Sequence, residues 1–282
     1  MRKVFTVISV ALFSYTTLVH AVTNPTTTNP SESRHKKVKH THQGKQTNNE
    51  ETLQLPKEEV EVKKEPANKP FHWLDGMSTT FAFTSDYVFR GISQTQDLPA
   101  AQGGFTYTFP FGLYLNLWGS NVKFTDSTAT VEIDSIIGWH GDVGENFTYD
   151  VNAARYSYPR ATELAYNELN SVFNYRFLQA GVSYSANVYN AHTTGTYYSG
   201  GINYDIPPQY IFNLQGMNIL ALMGHYSLGK AAGNSYNDYN IALSKQLNSI
   251  YTFMLQWTNT NGRAQNPPYD NRHIIATLTA NV

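Results

Sequence analysis

Residues 84–95 read TSDYVFRGISQT, and the way they alternate decides the fold. Read as one extended strand with the residues before them, Phe81, Phe83, Tyr87 and Phe89 face one way, and Thr80, Thr84, Asp86 and Arg90 face the other. On the buried face of a soluble sheet, two full charges would each cost roughly several kcal/mol unless paired. A closed barrel in a membrane removes the conflict, because its apolar face meets lipid and its polar face meets a lumen that holds water.

The same alternation recurs along the chain. Glu132 and Asp134 oppose Val131, Ile133 and Ile137; Glu168, Asn170, Asn174 and Arg176 oppose Leu169, Phe173, Tyr175 and Phe177; Ile274, Ala276, Leu278 and Ala280 oppose His273, Thr277 and Thr279. Twelve strands are predicted, centred near residues 84, 106, 118, 134, 152, 171, 184, 201, 220, 241, 254 and 277. Those near 152 and 220 are the least regular, since Arg155 and the run NILALM break the pattern. A tilted membrane strand needs about 9–11 residues, and an even strand number returns both termini to one side. The predicted fold is therefore an all-β, antiparallel up-and-down transmembrane barrel. The connections that should lie outside fall near 91–101, 125–128, 159–164, 190–195, 229–236 and 259–271, and are on average longer than those between them, with 125–128 the exception.

Composition agrees. The chain has no cysteine, which excludes disulfides, thiolate metal sites and cysteine nucleophiles. Its 20 tyrosines and 15 phenylalanines suit sheets and membrane interfaces, and Trp73, Trp118, Trp139 and Trp257 are expected as interfacial anchors. The net charge of -1 is a cancellation: residues 1–70 carry +4 and residues 71–282 carry -5. Nucleic-acid binding by the barrel is excluded by that acidic balance.

Three segments follow. Residues 1–21 have Arg2 and Lys3, a short apolar run and a small-residue cleavage site after Ala21, the pattern of a signal peptide. Residues 22–70 are Thr/Asn/Pro-rich and then charged, with too little apolar surface to offset the entropy of ordering, and are expected to be a disordered periplasmic tether. Its His35, His40 and His42 are read as part of a solvated charged linker, and its lysines as a means of contact with the cell wall. Residues 71–282 form the barrel.

The stretches SDYVFRGISQ, LPAAQGGFTY, GLYLNLWGSNV, VEIDSIIGW, YDVNAARYSYP, YNELN and YNDYNIALSK resemble, in order over residues 78–260, the TorF family of bacterial porin-like proteins of undefined activity. The resemblance implies an outer-membrane barrel of the Gram-negative envelope and a pore. Two features depart from the family: the long tether, and a chain ending in Val282 where barrels usually offer the assembly machinery an aromatic residue.

The leading expectation is a passive channel for small hydrophilic solutes. Strand phase places Asp86, Arg90, Glu132, Asp134, Asp150, Glu168, Arg176, Asp205 and Asp238 in the lumen, an acidic excess that predicts mild cation preference. The competing reading is that Arg90 and Arg176 pair with these carboxylates and plug the barrel, since narrow barrels are filled by side chains. A non-conducting barrel acting through the loops GISQTQDLPAAQ and NTNGRAQNPPYDN is the alternative. A barrel hydrolase using His140, His225, Ser227 or His273 is weaker, because no nucleophile elbow is present. Outer-membrane lipid, the barrel assembly machinery and small solutes or cations are the expected partners, with no cofactor and no metal.

Overall fold

The computed structural model describes residues 73–261 and 272–282. The predicted signal peptide, the tether with His35, His40 and His42, and most of the 259–271 connection lie outside the described residues. Among the described residues fourteen strands follow in order: β1 Met77–Thr84, β2 Val88–Phe89, β3 Ile92–Ser93, β4 Ala100–Thr108, β5 Leu113–Asn121, β6 Val131–Val143, β7 Phe147–Ser157, β8 Tyr166–Tyr175, β9 Leu178–Ser185, β10 Gly195–Ile206, β11 Met217–Leu228, β12 Tyr236–Gln246, β13 Tyr251–Thr260 and β14 His273–Asn281.

Twelve of them close a barrel of antiparallel neighbours in sequence order, and β2 and β3 form a separate hairpin. Closure is made by β1, which pairs with β4 (Thr80 opposite Gly104) and with β14 (Thr80 opposite Asn281). Thr79 and Val282 exchange backbone hydrogen bonds at 2.8 and 2.9 Å, so the first and last strands meet at one end, here the terminal end. The opposite, far end carries the connections 85–99, 122–130, 158–165, 186–194 and 229–235. At the terminal end 109–112, 144–146, 176–177 and 247–250 are short, and 207–216 is the long one. The expected exception at 125–128 disappears, because β5 ends at Asn121 and β6 begins at Val131.

The exterior is an apolar belt. Phe81, Phe83, Leu117, Ile137, Leu169, Leu255 and Ile274 are all exposed, which is the surface a lipid-facing barrel needs. At the terminal end Tyr107, Phe109, Phe111 and Trp139 touch in series, with ring centroids 4.8, 5.5 and 5.5 Å apart, as in an aromatic girdle at a membrane interface. Trp139 and Trp257 stand on this outer face, whereas Trp118 points inward and packs edge-on against Tyr87 at 5.5 Å. Trp118 is thus a lumen residue and not an anchor. The irregular runs also resolve: Arg155 faces outward, bonded to Asn167, while Leu220 and Leu222 turn inward onto Ala242 and Met254.

The largest correction concerns the opening stretch. The first strand ends at Thr84, and residues 85–99 do not continue along the wall or stand out as a loop. They fold into the barrel, so Tyr87 and Phe89, expected to face lipid, are buried inside it at 3% and 8% exposure.

Candidate functional site

The inward hairpin is built by its own sequence. Val88 and Phe89 pair with Ser93 and Ile92 across a two-residue turn, whose residues Arg90 and Gly91 both have positive φ, 48° and 80°. This is the turn whose twist suits a two-residue hairpin. At Gly91 the backbone also passes so close to the wall that a side chain would meet the Thr260 methyl at 2.7 Å and the Asp238 Cβ at 2.9 Å. The base is tied by Asp86, whose Oδ1 accepts hydrogen bonds from Ser93 Oγ (2.6 Å) and Thr95 Oγ1 (2.8 Å). Thr95 Oγ1 in turn accepts from the Tyr87 amide at 3.1 Å, and Ser93 Oγ from the Asp97 amide at 2.9 Å.

Arg90 carries the turn across the lumen. Its Nη1 and Nη2 donate to Glu168 Oε2 and Oε1 at 3.0 and 2.8 Å, with side-chain exposures of 2% and 0%. Tyr156 donates to the same carboxylate at 3.2 Å. The guanidinium also lies over the rings of Phe89, Tyr197 and Tyr226 at 4.5, 4.4 and 4.6 Å. A forked pair with aromatic faces around it is the setting in which arginine is preferred to lysine. For a non-glycine residue a φ of 48° costs roughly 1–2 kcal/mol, and these contacts hold it there.

Aromatic rings fill the far half of the lumen around this pair. Tyr156 stacks on Tyr166 at 4.6 Å, Tyr166 meets Tyr189 at 5.3 Å, and Tyr226 contacts Tyr197 and Tyr236 at 5.7 and 5.9 Å. Gly224 is what lets Tyr197 reach Asp238, to which it donates at 3.2 Å, because a side chain there would overlap both groups.

The remaining carboxylates lie in an acidic band beside and below the hairpin. Glu132 accepts from Tyr158 at 3.1 Å, and Asp150 accepts from Tyr114 at 3.0 Å and Asn152 at 2.8 Å. Glu132 Oε2, Asp134 Oδ1, Asp150 Oδ2 and Asp238 Oδ1 are buried and find no hydrogen-bond partner among the described residues. Buried polar oxygens are nearly always satisfied, so these call for water or a cation. Burial, followed by the fields of Glu132 and Asp134, holds the Tyr87 hydroxyl of the hairpin well above its ordinary value, so it stays protonated beside them. Toward the terminal end the inward positions open: His140 is half-buried, and Asp142 and Asp205 are exposed.

Of the residues singled out by phase, Asp86, Arg90, Glu132, Asp134, Glu168 and Asp238 are buried inside the far half, and Asp150 and Asp205 lie toward the terminal end. Asp86 and Arg90 are held by the hairpin and not by the wall. Arg176 is outside the cluster: it sits exposed in the β8–β9 turn with a φ of 56°, its guanidinium 5.5 Å from the Tyr175 ring. Of the histidines, His140 and His273 lie at opposite ends of the lumen, and His225 faces outward, its Nδ1 2.6 Å from Asn237 Oδ1. Sequence reasoning missed Ser93 and Thr95, which fix Asp86, and the tyrosines at 156, 166, 197, 226 and 236, which were counted as interfacial. The signal for the turn was present in Arg90-Gly91, but the strand pattern runs through it.

A family model described as "Bacterial protein of unknown function (Gcw_chp)" matches residues 69–280. No curated protein matches the chain in sequence. Among solved structures, a KdgM porin aligns with a TM-score of 0.48 and 9% identity, over 72% of this chain and 97% of its own. OprD from Pseudomonas aeruginosa aligns with a TM-score of 0.36 and 8% identity, over 73% of this chain and 64% of its own. OpdK from Pseudomonas aeruginosa, solved with vanillate, aligns with a TM-score of 0.36 and 12% identity, over 73% of this chain and 65% of its own.

Proposed function

The chain belongs to the Gcw_chp family of bacterial proteins, and from the geometry of this member we propose that it is an outer-membrane channel closed by its own first far-end connection. It passes small hydrophilic solutes, with a preference for cations, when the 85–99 segment is displaced. The TorF resemblance over residues 78–260 falls within the matched span and points the same way. We place the terminal end, with the tether, in the periplasm after removal of residues 1–21, because barrels of this type carry their longer connections outside.

One observation carries the proposal: the lumen's acids are not balanced. Arg90 is committed to Glu168, and among the described residues no arginine or lysine is bonded to Glu132, Asp134, Asp150 or Asp238. A lumen filled only for stability gains nothing from unpaired buried carboxylates. A hydrated pathway lined by them raises the local cation concentration and excludes anions.

A second reading, a non-conducting barrel that works through its outer surface, is favoured by the buried Arg90–Glu168 pair, which locks the plug at both forks. Single-channel recording in planar bilayers under a salt gradient separates the two. The wild type is expected to open rarely. Replacing residues 86–96 with a Gly/Ser linker should give continuous, cation-preferring conductance, and adding Glu132→Gln/Asp134→Asn should weaken the preference. A linker variant that inserts folded and never conducts would end the channel reading.

A further inference from the structure

We propose that Asp86, Asp97 and His273 form a binding site for a divalent transition-metal ion of the zinc type, which latches the plug to the barrel wall. Asp86 and Asp97 flank one hairpin and His273 is distant in sequence, yet their ligating atoms all lie within 4.8 Å of one another. Asp86 Oδ2 is 3.3 Å and Asp97 Oδ1 3.0 Å from His273 Nδ1. Ligands held about 2.0–2.2 Å from one zinc ion lie about 3.0–3.5 Å apart, so both spacings suit a shared metal. A single Nδ1 proton cannot serve two carboxylates equally well.

The second observation is the state of Asp86. Its Oδ1 is saturated by the Ser93 and Thr95 hydroxyls, while Oδ2 is buried, has no hydrogen-bond partner among the described residues and lies toward His273 in the cluster. That is the arrangement of a ligand oriented by outer-shell donors, with one lone pair left for the metal. One imidazole nitrogen with two carboxylates selects a borderline ion such as Zn²⁺ over Ca²⁺ or Mg²⁺, which prefer all-oxygen shells. The Asp97 side chain is 52% exposed, which gives an ion its route in and leaves room for water to complete the shell.

The topology gives the site a consequence. Asp86 precedes the hairpin, Asp97 follows it, and His273 is the first residue of β14, the strand that pairs with β1. One bound ion therefore clamps both ends of the plug to the wall.

The test is calorimetric titration of Zn²⁺ into the folded full chain in detergent. His35→Asn, His40→Asn and His42→Asn form the common background, because the tether histidines would also bind the metal. One equivalent of Zn²⁺ should bind, weakened at least tenfold by His273→Gln and by Asp97→Asn, without competition from millimolar Ca²⁺. Asp97→Asn changes a half-exposed side chain, so it reports binding even if His273→Gln disturbs the fold. No Zn²⁺ equivalent, or one that both variants bind as tightly, would overturn the site. Binding is read without a bilayer, so its failure leaves the conduction proposal standing, and failed conduction leaves the site standing.

Discussion

The two ends of this lumen are lined by the same strands under the same alternation, yet they are built differently. At the far end Tyr87, Phe89, Tyr156, Tyr197 and Tyr226 are packed around a buried ion pair. At the terminal end the inward positions are polar and open, with Asp142 and Asp205 exposed and Asn203 half-buried. Strand number alone does not decide it, since a twelve-stranded barrel lies between those that fill with side chains and those that leave a channel; the wall supplies Tyr156, Tyr197 and Tyr226 at the far end. The 85–99 connection completes it, by placing Tyr87, Phe89 and Arg90 among those rings. Under the proposed channel function, conduction depends on the docking of this hairpin, while the strands set what a solute would meet once it moved.

The sharpest way to break the comparison is to undock the hairpin without touching the wall. Arg90→Ala leaves Glu168 buried without its cation and removes three ring contacts, and breaking a buried pair from one side costs about 3–5 kcal/mol. The barrel strands should survive, because none of their backbone pairing involves Arg90. Hydrogen exchange of amides 86–95 should accelerate by two orders of magnitude or more, while that of β6–β8 stays near wild type. Replacing both partners, Arg90→Leu with Glu168→Leu, should recover much of the protection. If the single variant leaves the 86–95 amides slow, the pair does not hold the plug.

The same hairpin shows what could be read from sequence. The barrel was legible because lipid and lumen impose a period of two on each crossing, and the predicted centres near 152, 201, 241 and 277 fall inside β7, β10, β12 and β14. The acids Glu132, Asp134, Glu168 and Asp238 were assigned to the lumen by that period. Residues 84–95 misled because a hairpin with Arg90-Gly91 at its turn preserves the alternation while reversing the chain. Its aromatic residues suit the inside of a plug as well as they suit lipid. Arg176 failed for a simpler reason: β8 ends at Tyr175, and the period has no meaning in a turn. The Asp86, Asp97 and His273 cluster was invisible, since only barrel closure brings residue 273 beside residue 86.

A smaller perturbation tests the docking geometry itself. Gly91→Ala places a Cβ against the Thr260 methyl and the Asp238 Cβ, at a φ of 80°, where an L-residue costs roughly 1–2 kcal/mol. Exchange of the 86–95 amides should quicken by about one order of magnitude, clearly less than in Arg90→Ala, and brief channel openings should become more frequent. An unchanged exchange rate would mean that the turn does not touch the β12–β13 wall.

The mildest change belongs to the open end, and there its smallness is informative. Asp142 and Asp205 face inward but are exposed, so water already solvates them. Asp205 Oδ1 accepts a hydrogen bond from Asn218 at 2.8 Å, and Asn203 Oδ1 accepts one from the same amide at 2.9 Å. An amide at position 205 can keep that acceptor. Asp142→Asn/Asp205→Asn should therefore alter stability by no more than about 0.5 kcal/mol, as for surface positions generally, and leave 86–95 exchange unchanged. In the linker-opened channel the pair should shift the reversal potential less than Glu132→Gln/Asp134→Asn does, because charges in an exposed, wet mouth are screened and those in the buried band are screened much less. A larger shift from the terminal-end pair would put the selective region at the open mouth and leave the buried acids as part of the plug's seat.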